Sequence, residues 1–217
     1  MQGNKTSRIA AMAIAALLGT TALSVPAFAD DAGFKGKSAG DFLVRARGLW
    51  VAPDESASTS IGGDVSVNND VVPEVDFSYF ATDNIAFELI AATTRHKVSH
   101  SAAGSLGKVS LLPPTLTVQY HFMPKSQFSP YVGAGLNYTF FYDEDAPGGG
   151  INSIDYENHI GYALQAGADY ALGGNWSLNV DVKKIFLSTD VSINGGAVTA
   201  DVDLDPWIVG VGVGYRF

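Results

Sequence analysis

Cysteine is absent from the 217 residues, so the chain has no disulfide staple, no thiolate metal site and no thiol nucleophile. Basic residues are few: 13 Lys and Arg stand against 22 Asp and Glu, for a formal net charge of −9. The basic footprint that nucleic acid requires is missing, and no such partner is expected. Long apolar runs are missing as well. Beyond residue 29 no segment reaches 18 consecutive apolar residues, which excludes spanning helices there. Helical periodicity is absent from every regularly patterned segment of that part.

The N-terminus reads differently from the rest. Lys5 and Arg8 precede an apolar stretch at 9–23, and Ala27-Phe28-Ala29 forms a small-x-small cleavage site. The stretch has 15 residues, whereas a spanning helix needs about 20. Residues 1–29 are therefore expected to be a cleaved signal peptide, with 30–217 forming one domain. Cleavage removes Lys5 and Arg8 but no acid, which takes the net charge from −9 to −11.

With helices excluded, a closed barrel is the remaining way across a bilayer, because every backbone N–H and C=O needs a partner there. Eight segments show period-two alternation rich in β-branched, aromatic and Gly residues, near 42–51, 74–81, 85–94, 109–122, 130–142, 157–171, 176–188 and 205–217. Their connections alternate in length. Those at 82–84, 123–129 and 172–175 are short; those at 52–73, 95–108, 143–156 and 189–203 are long and rich in Gly, Ser, Asn and Asp. Short turns at one rim and long loops at the other match outer-membrane barrels.

Parity within the segments says what each face meets. In the last one Trp207, Val209, Val211, Val213, Tyr215 and Phe217 share a face, against Ile208, Gly210, Gly212, Gly214 and Arg216. Turning the greasier face of every segment outward places Arg45, Arg47, Glu74, Asp76, Glu88, Asp169, Asp181, Lys183 and Arg216 inside, and Lys184 outside. In the opposite register four basic residues would face lipid at about 2 to 4 kcal/mol each near the midplane. That sum rivals a whole protein's stability of about 5 to 15 kcal/mol. A soluble β-barrel also alternates, but with bulky apolar residues inside; here they would cover the exterior and aggregate in water. Aromatics cluster near both ends of the segments, as interfacial girdles do. The expected fold is all-β, an eight-stranded antiparallel transmembrane β-barrel of outer-membrane type.

Candidates for chemistry are sparse. His96 and His100 stand four apart in a long connection, with no helix to align the rings on a metal, and read as solvated. His121 reads as an inward polar residue. Ser99 and Ser101 lie close to these histidines, but no nucleophile motif frames them. Asp201, Asp203 and Asp205 alternate before the last segment and read as a solvated acidic end rather than a cation site. No catalytic residue, metal or cofactor is expected. Pro113-Pro114 interrupts the fourth segment, and since neither residue donates a ladder hydrogen bond the wall should open or bulge there.

Several stretches carry a family resemblance: Ala39-Gly40-Asp41-Phe42 with Arg45, Ala81-Thr82-Asp83-Asn84-Ile85 with Glu88-Leu89, LLPPTL at 111–116, PYVGAGLNYT at 130–139, Asp205-Pro206-Trp207 and the terminal Gly214-Tyr215-Arg216-Phe217. The chain resembles the OmpW family of outer-membrane proteins. That resemblance implies a Gram-negative outer-membrane location, a narrow, partly hydrophobic lumen, and passage of small apolar molecules toward the membrane. By parity the inward apolar candidates are Leu43, Leu49, Phe80, Ile90 and Leu187, and Lys183 stands inward where some relatives present a bulky aromatic. Tyr215 and Phe217 resemble the terminal signal read by the outer-membrane assembly machinery. Lipid, small apolar ligands and that machinery are the expected partners. The alternative role is a structural or surface-interaction barrel whose loops bind partners without transport.

Overall fold

The computed structural model describes residues 33, 35–101, 104–148 and 150–217; the expected signal peptide lies outside the described residues. Eight strands close into a ring. They are β1 (Phe42–Ala52), β4 (Asp70–Phe80), β5 (Ile85–Ala92), β8 (Thr115–His121), β9 (Phe128–Asp145), β11 (His159–Gly173), β12 (Trp176–Phe186) and β15 (Trp207–Arg216). Each pairs antiparallel with the next, and β15 returns to β1 in a ladder from Leu43↔Arg216 to Ala52↔Trp207. No edge strand is left at this level, so the strands satisfy one another's backbone groups without water.

Above the ring the wall continues, which the sequence reading did not anticipate. The connections at 95–108 and 189–203, expected as loops, form hairpins: β6 (Thr94–His100) with β7 (Gly104–Leu112), and β13 (Ser188–Ile193) with β14 (Val198–Asp203). Three short strands, β2 (Ser56–Thr59), β3 (Val65–Val67) and β10 (Ile154–Tyr156), pair with β14, β6 and β13 respectively. The physical reason is alternation in a polar alphabet. Thr94, His96, Val98 and His100 are buried while Arg95, Lys97 and Ser99 are exposed, a period of two that composition disguised as loop. Left-handed backbone at Asn194, Gly195 and Gly196, with φ of 51°, 67° and 93°, turns the β13–β14 hairpin.

The outer face is apolar all round. Phe77, Leu89, Leu116, Leu136, Leu164, Val180 and Val211 are exposed, and aromatic pairs such as Tyr138–Phe140, Tyr162–Phe186 and Trp176–Tyr215 lie toward the ends of the band. Lys184, the outward base, reaches the rim, where Nζ lies 3.1 Å from Asp54 Oδ2 and 2.6 Å from the Asp205 carbonyl.

Inside, the small residues of β15 make room for arginine. A Cβ on Gly212 would lie 2.1 Å from the Ala46 carbonyl oxygen and 2.7 Å from the Arg47 Cα. Backbone cannot yield to that contact. Gly212→Ala is expected to lower stability by about 1 to 3 kcal/mol, read as a lower urea midpoint for the folded, heat-modifiable form; an unchanged midpoint would contradict this packing.

Candidate functional site

The barrel interior is layered. At the short-turn end Leu43, Phe80 and Ala86 form a small apolar cluster. Above it lies a slab of charge, and above that an apolar cavity. Leu43 and Phe80 are thus separated by the charged slab from Leu49, Ile90 and Leu187, which border the cavity.

Register builds the slab. Arg45 sits opposite Asp76 and Arg47 opposite Glu74 in the β1–β4 ladder, while on their other side Gly214 and Gly212 leave space. Arg45 is wholly buried: Nη1 donates to Asp76 Oδ1 at 2.9 Å and Glu88 Oε1 at 3.1 Å, and Nε to Asp169 Oδ1 at 3.2 Å. Arg47 lies 2.8 Å from Asp76, 3.1 Å from Glu88 and 2.6 Å from Glu74. Asp181 Oδ2 accepts from Tyr131 and Gln165, each at 2.8 Å, and its Oδ1 is 2.7 Å from Lys183 Nζ. Buried charges demand this degree of pairing. Side chains of Arg45, Asp76 and Glu88 reach no solvent, so the lumen is filled at this level.

Arg216 does not join them; it contacts Asp41 at 3.3 Å and the Lys35 carbonyl at the short-turn rim. In its stead comes Lys37, which sequence reasoning missed because it precedes the first strand. Its ammonium donates to Asp169 Oδ2 at 2.7 Å and Ser129 at 2.9 Å, and lies 3.0 Å from His121 Nδ1. Tyr131 and Asn179 were missed too, though their inward parity was legible.

The cavity above has a volume of about 310 Å³, at the small end of the range for ligand sites. Leu49, Ile90, Ile185, Leu187 and Ile208 surround its lower part; Val98, Leu106, Val109, Val191 and Val202 surround its upper part; Glu74 and Lys183 lie at its charged end. His96 and His100, read from sequence as solvated, are each 5% exposed and line this cavity. Their strand turns them inward, with His96 Nδ1 2.9 Å from the Asn68 carbonyl and His100 Nε2 2.9 Å from that of Gly62. Burial, with Glu144 nearby, pushes the lining Tyr156 phenol well above its ordinary range, so it stays neutral.

One side of the wall is interrupted. The β5–β8 ladder stops at Ile90↔Thr115 and the β6–β7 ladder resumes at Thr94↔Leu111. Between them Ala91, Ala92 and Thr93 face Leu112, Pro113 and Pro114 with no ladder pair across this seam, while Ala91 and Ala92 still pair with β4 and Leu112 with β9. Asn137 Nδ2 donates to both proline carbonyls, at 3.2 and 3.4 Å. Ala92, Pro113 and Thr115 also line the cavity, which therefore abuts this break. On the outside the break lies level with Tyr138 and Phe140, in the aromatic belt.

A closed eight-stranded ring with an apolar band outside and paired charge within defines an integral outer-membrane β-barrel protein. The sequence pattern of the OmpW family matches residues 38–217, and the chain belongs to that family. It is 40% identical over 216 residues to outer membrane protein W of Escherichia coli, covering 95% of this chain and 99% of that protein. At 32% over 182 residues, 77% of this chain and 84% of the other, it is similar to the dibenzothiophene metabolism operon protein PahQ of Pseudomonas aeruginosa. Among solved structures, the crystal structure of OprG from Pseudomonas aeruginosa superposes with a TM-score of 0.80 at 35% identity, covering 84% and 98% of the two chains. AlkL, determined by solid-state NMR in lipid bilayers, gives 0.67 at 30% identity, covering 85% and 93%. The chain is accordingly an outer-membrane protein in contact with lipid.

Proposed function

We propose that this barrel is a passive conduit for small hydrophobic molecules, which enter between the strands above the membrane, settle in the apolar cavity and leave sideways at Pro113-Pro114. One observation carries the reading: an apolar cavity, closed below by a charged slab, abuts the unpaired stretch of wall at the height of the outer aromatic belt. Burial of ligand surface at about 25 cal/mol per Å² drives uptake from water. The onward step into lipid exchanges one apolar surrounding for another, so it needs no energy source and no cofactor. A polar solute gains nothing from either step. That a relative takes its name from a dibenzothiophene metabolism operon supports an apolar cargo. Catalysis has no place in this scheme. Tyr215 and Phe217, whose rings meet on the last strand at 4.9 Å, would serve the assembly machinery rather than transport.

Uptake by a strain lacking the protein, complemented with the native chain or with Pro113→Val/Pro114→Val, tests the route. The double substitution restores two N–H donors to the wall and is expected to slow apolar dye uptake several-fold at equal protein levels. Equal rates in the two complemented strains would remove the sideways exit, and equal rates with and without the barrel would remove the conduit.

A further inference from the structure

The charged slab meets the apolar cavity at two of its residues, Glu74 and Lys183. Its lower members, Arg45, Asp169, Glu88 and Gln165, are laced together by hydrogen bonds. Lys183 and Glu74 are 2% and 3% exposed and 3.5 Å apart. The ammonium approaches Asp181 at 2.7 Å and the carboxylate approaches Arg47 at 2.6 Å, as ion pairs. These ion pairs use only part of what each group offers, since an ammonium carries three N–H donors and a carboxylate two accepting oxygens, and both residues line the cavity. A polar pair with donors and acceptors to spare beside an apolar cavity is where a ligand group would find partners.

We propose that Glu74 and Lys183 form a hydroxyl-reading floor, and that the cavity takes neutral apolar alcohols and phenols in preference to bare hydrocarbons or charged amphiphiles. This rests on the cavity being the ligand site proposed above. A single hydroxyl accepts from Lys183 Nζ and donates to the Glu74 carboxylate, answering both groups at once. Charge decides against the other head groups. The slab holds five acids, Glu74, Asp76, Glu88, Asp169 and Asp181, against the four bases Lys37, Arg45, Arg47 and Lys183. A carboxylate head would deepen that imbalance, and an ammonium head would have to lie beside Lys183. A hydroxyl adds no charge to a site where uncompensated charge is heavily penalised. Leu49, Ile185, Leu187 and Ile208 then enclose the tail.

Methyl NMR of the barrel in lipid nanodiscs tests this, following Leu49, Ile185 and Ile208 as n-octane, 1-octanol, octanoate or octylammonium is added, with each ligand scaled by its mole fraction in the lipid. The native protein is expected to bind 1-octanol about tenfold more tightly than octane, the scale of a hydrogen bond to a charged group, and the two charged ligands more weakly still. Lys183→Met and Glu74→Gln should each erase most of the alcohol preference while leaving octane binding in place. Two variants guard against one failing to fold, which loss of heat-modifiable mobility would reveal. An octanol-to-octane ratio unchanged between the native protein and a folded variant overturns the floor alone. Absence of any octane-induced shift overturns the cavity as a ligand site, and the floor with it.

Discussion

Replacing Ile90 by Lys is expected to abolish uptake of apolar solutes through this barrel while leaving the folded protein in the outer membrane. Ile90 is buried on β5, opposite Asp76 on one side and Thr115 on the other, just above the charged slab and at the foot of the interrupted wall. A solute crossing from cavity to lipid must pass it. An ammonium there brings water into the passage, and each square ångström of apolar ligand surface left wet forfeits its transfer energy. The fold should tolerate the change, because the slab below carries one more acid than base and Glu88 lies two residues away on the same face. Uptake rates of an apolar dye at matched protein levels in a strain lacking the native barrel give the readout. Native-like rates would sink the conduit and favour the surface-interaction reading, in which nothing inside the lumen affects the role.

The second large effect concerns stability. Arg45→Met should destabilise the barrel by about 3 to 5 kcal/mol, the cost of removing one partner from a buried ionic cluster. Arg45 binds Asp76, Glu88 and Asp169 at once and also donates to Ser78 at 3.1 Å. Methionine fills much of the space but answers none of these oxygens, and three buried bases are left against five acids. Such a loss is a large share of a typical stability of about 5 to 15 kcal/mol. Urea titration of the heat-modifiable band in detergent measures it. Adding Asp169→Asn should recover part of the loss, because the two residues are in direct contact and their effects are not additive. A native midpoint for Arg45→Met would mean that the cluster contributes nothing to holding the ring closed.

Much of this arrangement was legible in the amino-acid sequence. Each of the eight segments corresponds to a strand of the ring, and the nine charged residues assigned inward are all buried. The extramembrane strands escaped because Thr94, His96 and His100 carry their inward face in polar side chains. Lys37 escaped for a different reason: it belongs to no strand, so no alternation points to it, and only the closed ring shows a gap its ammonium can enter beside Asp169. Pro113 and Pro114 announced a break, yet nothing local says that it opens onto a cavity.

Strand parity, on its own, determined which side of every strand meets lipid, since residues two apart share a face and a misplaced register would put arginine into hydrocarbon. Tertiary structure decided which inward residues meet. Glu74 and Lys183 lie on β4 and β12, strands separated in the ring by β1 and β15, and they come within 3.5 Å only because closure and stagger bring opposite parts of the wall to one height. Contacts across a lumen depend on that geometry, and no pattern along a single strand encodes it.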